Sequence, residues 1–204
     1  MSLLKQQELQ AISDAVTEAE RHTDAELVTV LAHQSDDYRY IPTLWAAVIA
    51  LLVPAIVWFA GLWLETLEIL AVQLGCFFVL SMLFRVPVIM LYLIPRSVRN
   101  WRASNLARRQ FLDNNLHHTE QECGVMIFVS EAEHYVEILA DRGIDRHVSQ
   151  EQWQGIIDGL VAAIKSGQTQ QGLISCIHRC GELLAQHAPA TKTKNELPNH
   201  LVIL

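Results

Sequence analysis

The most constraining feature of this sequence is an uncharged apolar run over residues 43–64. At about 1.5 Å per residue, a helix of this length can cross a hydrocarbon core of about 30 Å. Trp45 lies near one end of the run, and Trp58 and Trp63 lie toward the other, as expected for side chains that favour the membrane interfaces. We therefore predict a transmembrane helix in preference to a buried helix of a soluble core.

A second apolar run follows over residues 67–84 and is interrupted by Arg85 and Pro87. Residues 88–94 are apolar again, so two interpretations are open. The span either ends near Arg85 with an interfacial segment behind it, or it kinks at Pro87 and continues. We favour the first interpretation and predict a two-helix transmembrane hairpin over residues 41–95.

Charged residues around the hairpin predict its orientation. Arg21 and Arg39 precede it, while the turn between the two runs carries Glu65 and Glu68. A basic series follows the second run: Arg96, Arg99, Arg102, Arg108 and Arg109. The positive-inside rule then predicts a multi-pass protein of the bacterial inner membrane, with both termini and the soluble domain in the cytoplasm. The same arginines are expected to face anionic lipid of the bilayer, although they also suffice as topology markers alone.

The rest of the chain has the pattern of one small α/β domain. Residues 26–32, 124–130 and 135–140 read as strands, the last two as a hairpin, and amphipathic helices surround them. We assign residues 1–40 and 96–188 to this domain, with the hairpin as an insertion and residues 189–204 as a tail of loop ending in a short apolar segment. Helices on both faces of a small mixed sheet predict an α/β sandwich. The formal net charge of −7 argues against nucleic acid as a partner.

Several segments together resemble the TPM-domain proteins. They are AELVTVLA at 25–32, HHTEQECGVMIFVSEAEHYVEILADRGI at 117–144, Trp153, and ELP at 196–198. The chain is most similar to short bacterial membrane proteins whose TPM domain carries an inserted hairpin. The resemblance implies a small Rossmann-like α/β/α sandwich.

The same resemblance implies less about activity. Some TPM domains, notably in chloroplast relatives, are described as acid phosphatases or photosystem-repair factors, and others as calcium-binding or partner-binding modules. Many relatives have an arginine shortly before the glycine that begins the second strand, where this chain has Glu122 and Cys123. A shared fold does not transfer an activity.

Acidic residues near strand ends are the candidate site residues. We predict Asp141, Asp145, Glu26 and Glu133 as ligands for a hard cation such as Ca²⁺ or Mg²⁺, because ligands of open α/β sheets bind at strand ends and these ions prefer oxygen. The simpler interpretation is a set of solvated carboxylates, since their spacing matches no metal-loop signature.

Cys176 and Cys180 are four residues apart and could offer two thiolates to zinc from one helix face. Cys180 falls on an apolar stripe, so we favour a core position for the pair. No nucleophile elbow, phosphate-binding glycine loop or zinc-knuckle spacing occurs in the sequence.

The leading hypothesis is therefore a membrane-anchored binding or assembly module with a membrane-protein partner and no catalysis. The rival is a divalent-metal-dependent phosphatase that uses the strand-end carboxylates. A transporter subunit, suggested by Arg85, ranks last because two spans are too few for a pathway in one chain.

Overall fold

A computed structural model describes residues 6–119, 121–191 and 201–204, except for the side chains of residues 87 and 88. The chain divides into two compact units. The first, here called the sheet unit, comprises residues 1–35 and 100–204, and the second, the hairpin unit, comprises residues 36–99. Residues 196–198, which belong to the TPM resemblance, lie outside the described residues.

The described residues form the following elements in chain order: α1 (Gln6–Glu20), β1 (Leu27–Ala32), α2 (Tyr40–Phe59), α3 (Thr66–Leu83), α4 (Pro87–Leu93), α5 (Arg96–Asp113), a 3-10 turn (Leu116–His118), β2 (Val125–Ser130), β3 (Tyr135–Ala140), α6 (Arg142–Asp145), α7 (Gln150–Lys165), α8 (Thr169–His187) and β4 (Leu201–Ile203).

The four strands form one mixed sheet in the order β3-β2-β1-β4. β1 runs parallel to both β2 and β4, while β3 returns antiparallel to β2. The predicted β2–β3 hairpin is confirmed. The apolar end of the tail, which we expected to follow a loop, adds β4 to the edge of the sheet beside β1.

Alternating side chains of the strands feed two cores, one on each face of the sheet. Leu27, Ile127 and Val129 point to the face covered by α1, α7 and α8. Val30 and Phe128 point to the other face, where Ala103 and Ala107 of α5 pack against them. Burial on both faces is what a continuous apolar strand such as β2 predicts. The predicted α/β/α sandwich is confirmed.

The cap and the apolar stripe that the local sequence predicts for α7 are both present. Ser149 and Gln152 make the predicted capping box, in which each side chain bonds the other residue's backbone N–H. Trp153, Ile156 and Leu160 are buried along one face, at the spacing of an amphipathic helix.

The hairpin unit contains two helices that are long and apolar enough to cross a membrane, α2 and α3, within the described part of the chain. α2 ends at Phe59, earlier than the apolar run, because Gly61 adopts φ +67° and closes a Schellman motif. The backbone N–H of Leu62 bonds the Val57 carbonyl at 3.2 Å, and that of Gly61 bonds the Trp58 carbonyl at 3.2 Å. Trp63 therefore lies in the connection, fully exposed.

The second helix of this unit ends before Arg85. α3 stops at Leu83, and the short helix α4 begins at Pro87. At the start of α3, the backbone N–H of Glu65 donates to the Glu68 carboxylate at 2.9 Å. No residue of α3 is buried, whereas a core helix of a soluble protein would be. The apolar surface of α3 is therefore not covered by the described residues of its own unit.

Candidate functional site

The four carboxylates predicted as cation ligands lie on two opposite edges of the sheet. β3 runs antiparallel to β2, so Val125 is level with Ala140 at one edge, and Ser130 is level with Tyr135 at the other. A six-residue strand spans roughly 17–20 Å, whereas the oxygen ligands of a calcium ion all lie about 2.5 Å from it. Glu133 therefore cannot share an ion with Asp141, and the four candidate ligands fall into two groups.

At the carboxyl edge, where β1 and β2 end level with each other, Glu133 is the central residue. It is only 4% exposed. Its carboxylate accepts the backbone N–H of Ser35 at 3.1 and 3.2 Å and the hydroxyl of Ser130. The buried side chain thus joins the loop after β1 to the turn after β2.

Three further contacts lie at the same edge. Nδ1 of His33 lies 2.9 Å from the Glu131 carboxylate, with the imidazole largely exposed. The backbone N–H of Ala132 donates to the His33 carbonyl at 3.0 Å, and that of His33 donates to the Leu204 carbonyl at 3.0 Å. An exposed imidazole paired with the Glu131 carboxylate is a surface that can recognise a polar or charged group from solvent.

At the amino edge, Asp141 precedes α6 and Asp145 is its last residue. Asp141 caps this short helix, since its side chain accepts the backbone N–H of Arg142 at 2.8 Å. The backbone N–H of Gly143 donates to the Glu122 carbonyl at 2.9 Å, which brings the two loops into backbone contact. Asp145 is exposed to solvent.

Glu26 lies at the same edge, just before β1, and is 5% exposed. Its carbonyl accepts the backbone N–H of Val125 at 2.8 Å. The neighbouring Glu20 on α1 accepts the backbone N–H of Leu27 at 3.1 Å. Burial, with a smaller contribution from the negative charge of Glu26, raises the pKa of Glu20 to about 7. Because of this shift, the protein is more stable when the Glu20 carboxyl group is protonated.

We expect Glu20→Gln to stabilise the sheet unit at pH 8 by on the order of 1–3 kcal/mol, and to leave it nearly unchanged at pH 4. The pKa of Glu20 is higher in the folded than in the unfolded protein, so the wild type loses stability as pH rises from about 4.5 to about 7. Glutamine keeps an acceptor for Leu27 and carries no charge. Denaturant midpoints across this pH range measure the effect.

The matched control is Glu18→Gln, which removes the same charge from an exposed position two residues earlier in α1. Because surface ion pairs contribute little, it should shift stability by less than about 1 kcal/mol at any pH. If Glu20→Gln and the wild type show the same pH slope, the buried carboxyl is not the source of the pH dependence.

Within residues 6–119, 121–191 and 201–204, no three histidine, cysteine, aspartate or glutamate side chains gather in a way that could hold a metal ion. Cys176 and Cys180 lie in the main core, as the favoured interpretation expected. A hydrogen bond with Cys176 and burial raise the pKa of the Cys180 thiol, which disfavours the thiolate that zinc would need.

The arginine series lies along α5. Arg96, Arg108 and Arg109 are exposed, while Arg99 and Arg102 are partly buried. Sequence reasoning missed Ser35, Ser130 and His33 as companions of the strand-end acids. The signal available was the end of each parallel strand, since all three residues lie at or just after the end of β1 or β2.

Comparison with known proteins supports the fold described above. No curated protein matches the sequence. An NMR structure of the BA42 protein from the psychrophilic bacterium Bizionia argentinensis matches with a TM-score of 0.62 and 20% identity, over 99% of this chain and 96% of that one. At that identity the similarity shows the fold alone.

A family model described as the TPM domain matches residues 89–183. The match covers α5, β2, β3, α6 and α7 in full and extends into α8. β1 precedes the two apolar helices in the chain and belongs to the same sheet, because it lies between β2 and β4. Residues 89–183 of this chain are therefore similar to the TPM domain.

Proposed function

We propose that this protein is a membrane-anchored TPM domain that binds or assembles with a membrane-protein partner on the cytoplasmic face of the bacterial inner membrane. The observation that carries the proposal is the position of the two apolar helices. α2 and α3 lie in the chain between β1 and β2, which are neighbouring strands of one sheet. A tether inserted inside a domain restricts its orientation more than one attached at a terminus.

The charge pattern supports a cytoplasmic sheet unit. The connection between α2 and α3 carries Glu65 and no basic residue, while α5, which follows α4, carries five arginines. Two crossings return the chain to its starting side, so both flanks of the hairpin can fold together. The positive-inside rule places that side in the cytoplasm.

Reporter fusions test this topology directly. A reporter placed after Gly61, in the α2–α3 connection, and one placed after Leu204 should report opposite sides of the membrane. Reporters on the same side would contradict a two-span hairpin. An additional fusion at Gly167, in the exposed turn between α7 and α8, should agree with the one after Leu204.

The carboxyl edge is the surface proposed for the partner. His134 is exposed in the turn between β2 and β3, directly beside the buried Glu133. A photo-crosslinking residue at His134 should capture one defined membrane protein in cells. The same residue at Gln154, which is exposed on α7, should not capture it. Identical products from both positions would argue against a partner specific to this edge.

The metal-dependent phosphatase is the alternative function. Asp141, Asp145 and Glu26 share the amino edge, whereas Glu133 accepts hydrogen bonds at the carboxyl edge, so the predicted ligand set does not fit one ion. We expect the purified chain to hydrolyse p-nitrophenyl phosphate no faster than background with Ca²⁺ or Mg²⁺. A metal-dependent rate that Asp141→Ala abolishes would establish the phosphatase and overturn the non-catalytic proposal.

A further inference from the structure

Helix α5 has a second usable face within the sheet unit. Ala103 and Ala107 are fully buried against the sheet. On the opposite side of the helix, Trp101, Asn105, Arg108 and Leu112 follow one another at intervals of four, three and four residues, which places them on one face. We call them, together with the adjacent Arg109, the outer α5 face: Trp101, Asn105, Arg108, Arg109 and Leu112.

This outer face combines apolar and basic groups. Trp101 is 58% exposed and Leu112 is 54% exposed, which is unusual for large apolar side chains in a domain with two well-formed cores. The guanidinium of Arg102 lies 4.9 Å from the centre of the Trp101 ring, a cation–π contact. Tryptophan beside arginine is the composition of surfaces that meet lipid headgroups.

The charge of α5 is opposite to that of the whole protein. Residues 96–112 contain five arginines and no acidic residue, whereas the chain has a formal net charge of −7. The exposed guanidinium groups of Arg108 and Arg109 project from the same face as Trp101 and Leu112. Such a face complements an anionic surface. The acidic remainder of the protein is repelled by any anionic partner, whether nucleic acid or membrane.

From these observations we infer that the outer α5 face docks on anionic phospholipid headgroups. This inference rests on the proposed membrane anchoring, which keeps the helix within reach of lipid: only 12 residues separate the end of α3 at Leu83 from the start of α5 at Arg96. Arg108 and Arg109 contact phosphates, and Trp101 and Leu112 enter the headgroup layer. Anionic lipid then selects one orientation of the TPM domain.

An environment-sensitive fluorophore at Asn105→Cys, in a Cys76→Ser background, reports on this docking. The other three cysteines, Cys123, Cys176 and Cys180, are buried. The full chain is reconstituted in nanodiscs of phosphatidylcholine with or without phosphatidylglycerol. We expect a blue shift only with phosphatidylglycerol, and its loss as ionic strength rises.

Substitutions separate the face from general charge. The double substitution Arg108→Gln and Arg109→Gln should weaken docking roughly 20- to 30-fold, at about fivefold for each basic residue near an anionic surface. The matched control, Arg142→Gln with Arg146→Gln, removes two exposed arginines around α6 and should leave the shift intact. Equal loss in both variants, no dependence on lipid charge, or a response to RNA in place of lipid would overturn the inference.

Membrane anchoring is read separately by washing the same discs at alkaline pH. A chain that stays with the discs but shows no lipid-dependent shift contradicts the docking face and leaves the anchor standing. A chain that is washed away contradicts the anchor. In that case, the labelled chain is mixed with phosphatidylglycerol vesicles and floated with them. A blue shift of the fluorophore then supports docking by the outer α5 face, and the absence of a shift overturns it.

Discussion

We expect Gly143→Ala to lower the free energy of unfolding of the sheet unit by about 3 kcal/mol or more, and to shift the amino edge of the sheet. A methyl group at this position would lie 2.3 Å from the Gln121 carbonyl oxygen and 2.6 Å from the Glu122 carbonyl oxygen. Both obstacles are backbone atoms, so no side-chain rotation relieves them. Moving the loop apart would also break the hydrogen bond from Gly143 to Glu122.

The matched control is Gly155→Ala in the middle of α7. A methyl group there meets no atom within 4 Å, and alanine is favoured over glycine inside a helix by up to about 1 kcal/mol. The two substitutions make the same chemical change, so they should move stability in opposite directions.

In a Cys76→Ser background, which removes the partly buried thiol of α3, the remaining buried thiols report unfolding of the sheet unit in both variants. Cys123, Cys176 and Cys180 belong to the sheet unit and are at most 4% exposed. Their rate of labelling by a thiol reagent reports opening of this unit. Labelling of Gly143→Ala as slow as that of the wild type would mean that the α6 loop is free to move away from Gln121.

Some of this structure could be predicted from local patterns because the determining interactions are themselves local. The capping box of Ser149 and Gln152 and the stripe through Trp153 specify α7 with no help from the rest of the chain. The uninterrupted apolar run 124–130 indicates burial on both faces, and the sheet buries every residue of β2.

Elements that depend on distant contacts were beyond such patterns. β4 contributes only Leu201–Ile203, and it becomes a strand because it pairs with β1 some 170 residues earlier in the chain. Three residues carry too little periodicity to distinguish a strand from an apolar loop.

The division of the candidate ligands between two edges follows from a pattern that the sequence did contain. A predicted β2–β3 hairpin already returns the chain to the amino edge, so Asp141 could never have met Glu133. Treating every strand-end acid as one group ignored the direction of the third strand. Direction, more than proximity in sequence, decides which acids can act together.

The second large effect is expected for Glu133→Ala, which should lower the free energy of unfolding of the sheet unit by about 2–3 kcal/mol. The substitution removes the buried acceptor of the Ser130 hydroxyl and the Ser35 backbone N–H. Ser130 is only 1% exposed, and the Ser35 backbone N–H is partly buried. Thiol labelling measures the global loss, and hydrogen exchange in residues 33–36 measures local release of the loop after β1.

Two neighbouring substitutions distinguish a structural carboxylate from a ligand-binding one. Glu133→Gln keeps one acceptor oxygen, and the Ser130 hydroxyl can rotate to accept from the new amide, so the loss should be only about 1 kcal/mol. Glu131→Gln changes the exposed pair with His33 and should cost less than about 1 kcal/mol. If Glu133→Ala is as stable as the wild type but loses the crosslink from His134, the carboxylate serves the partner and does not hold the two loops together.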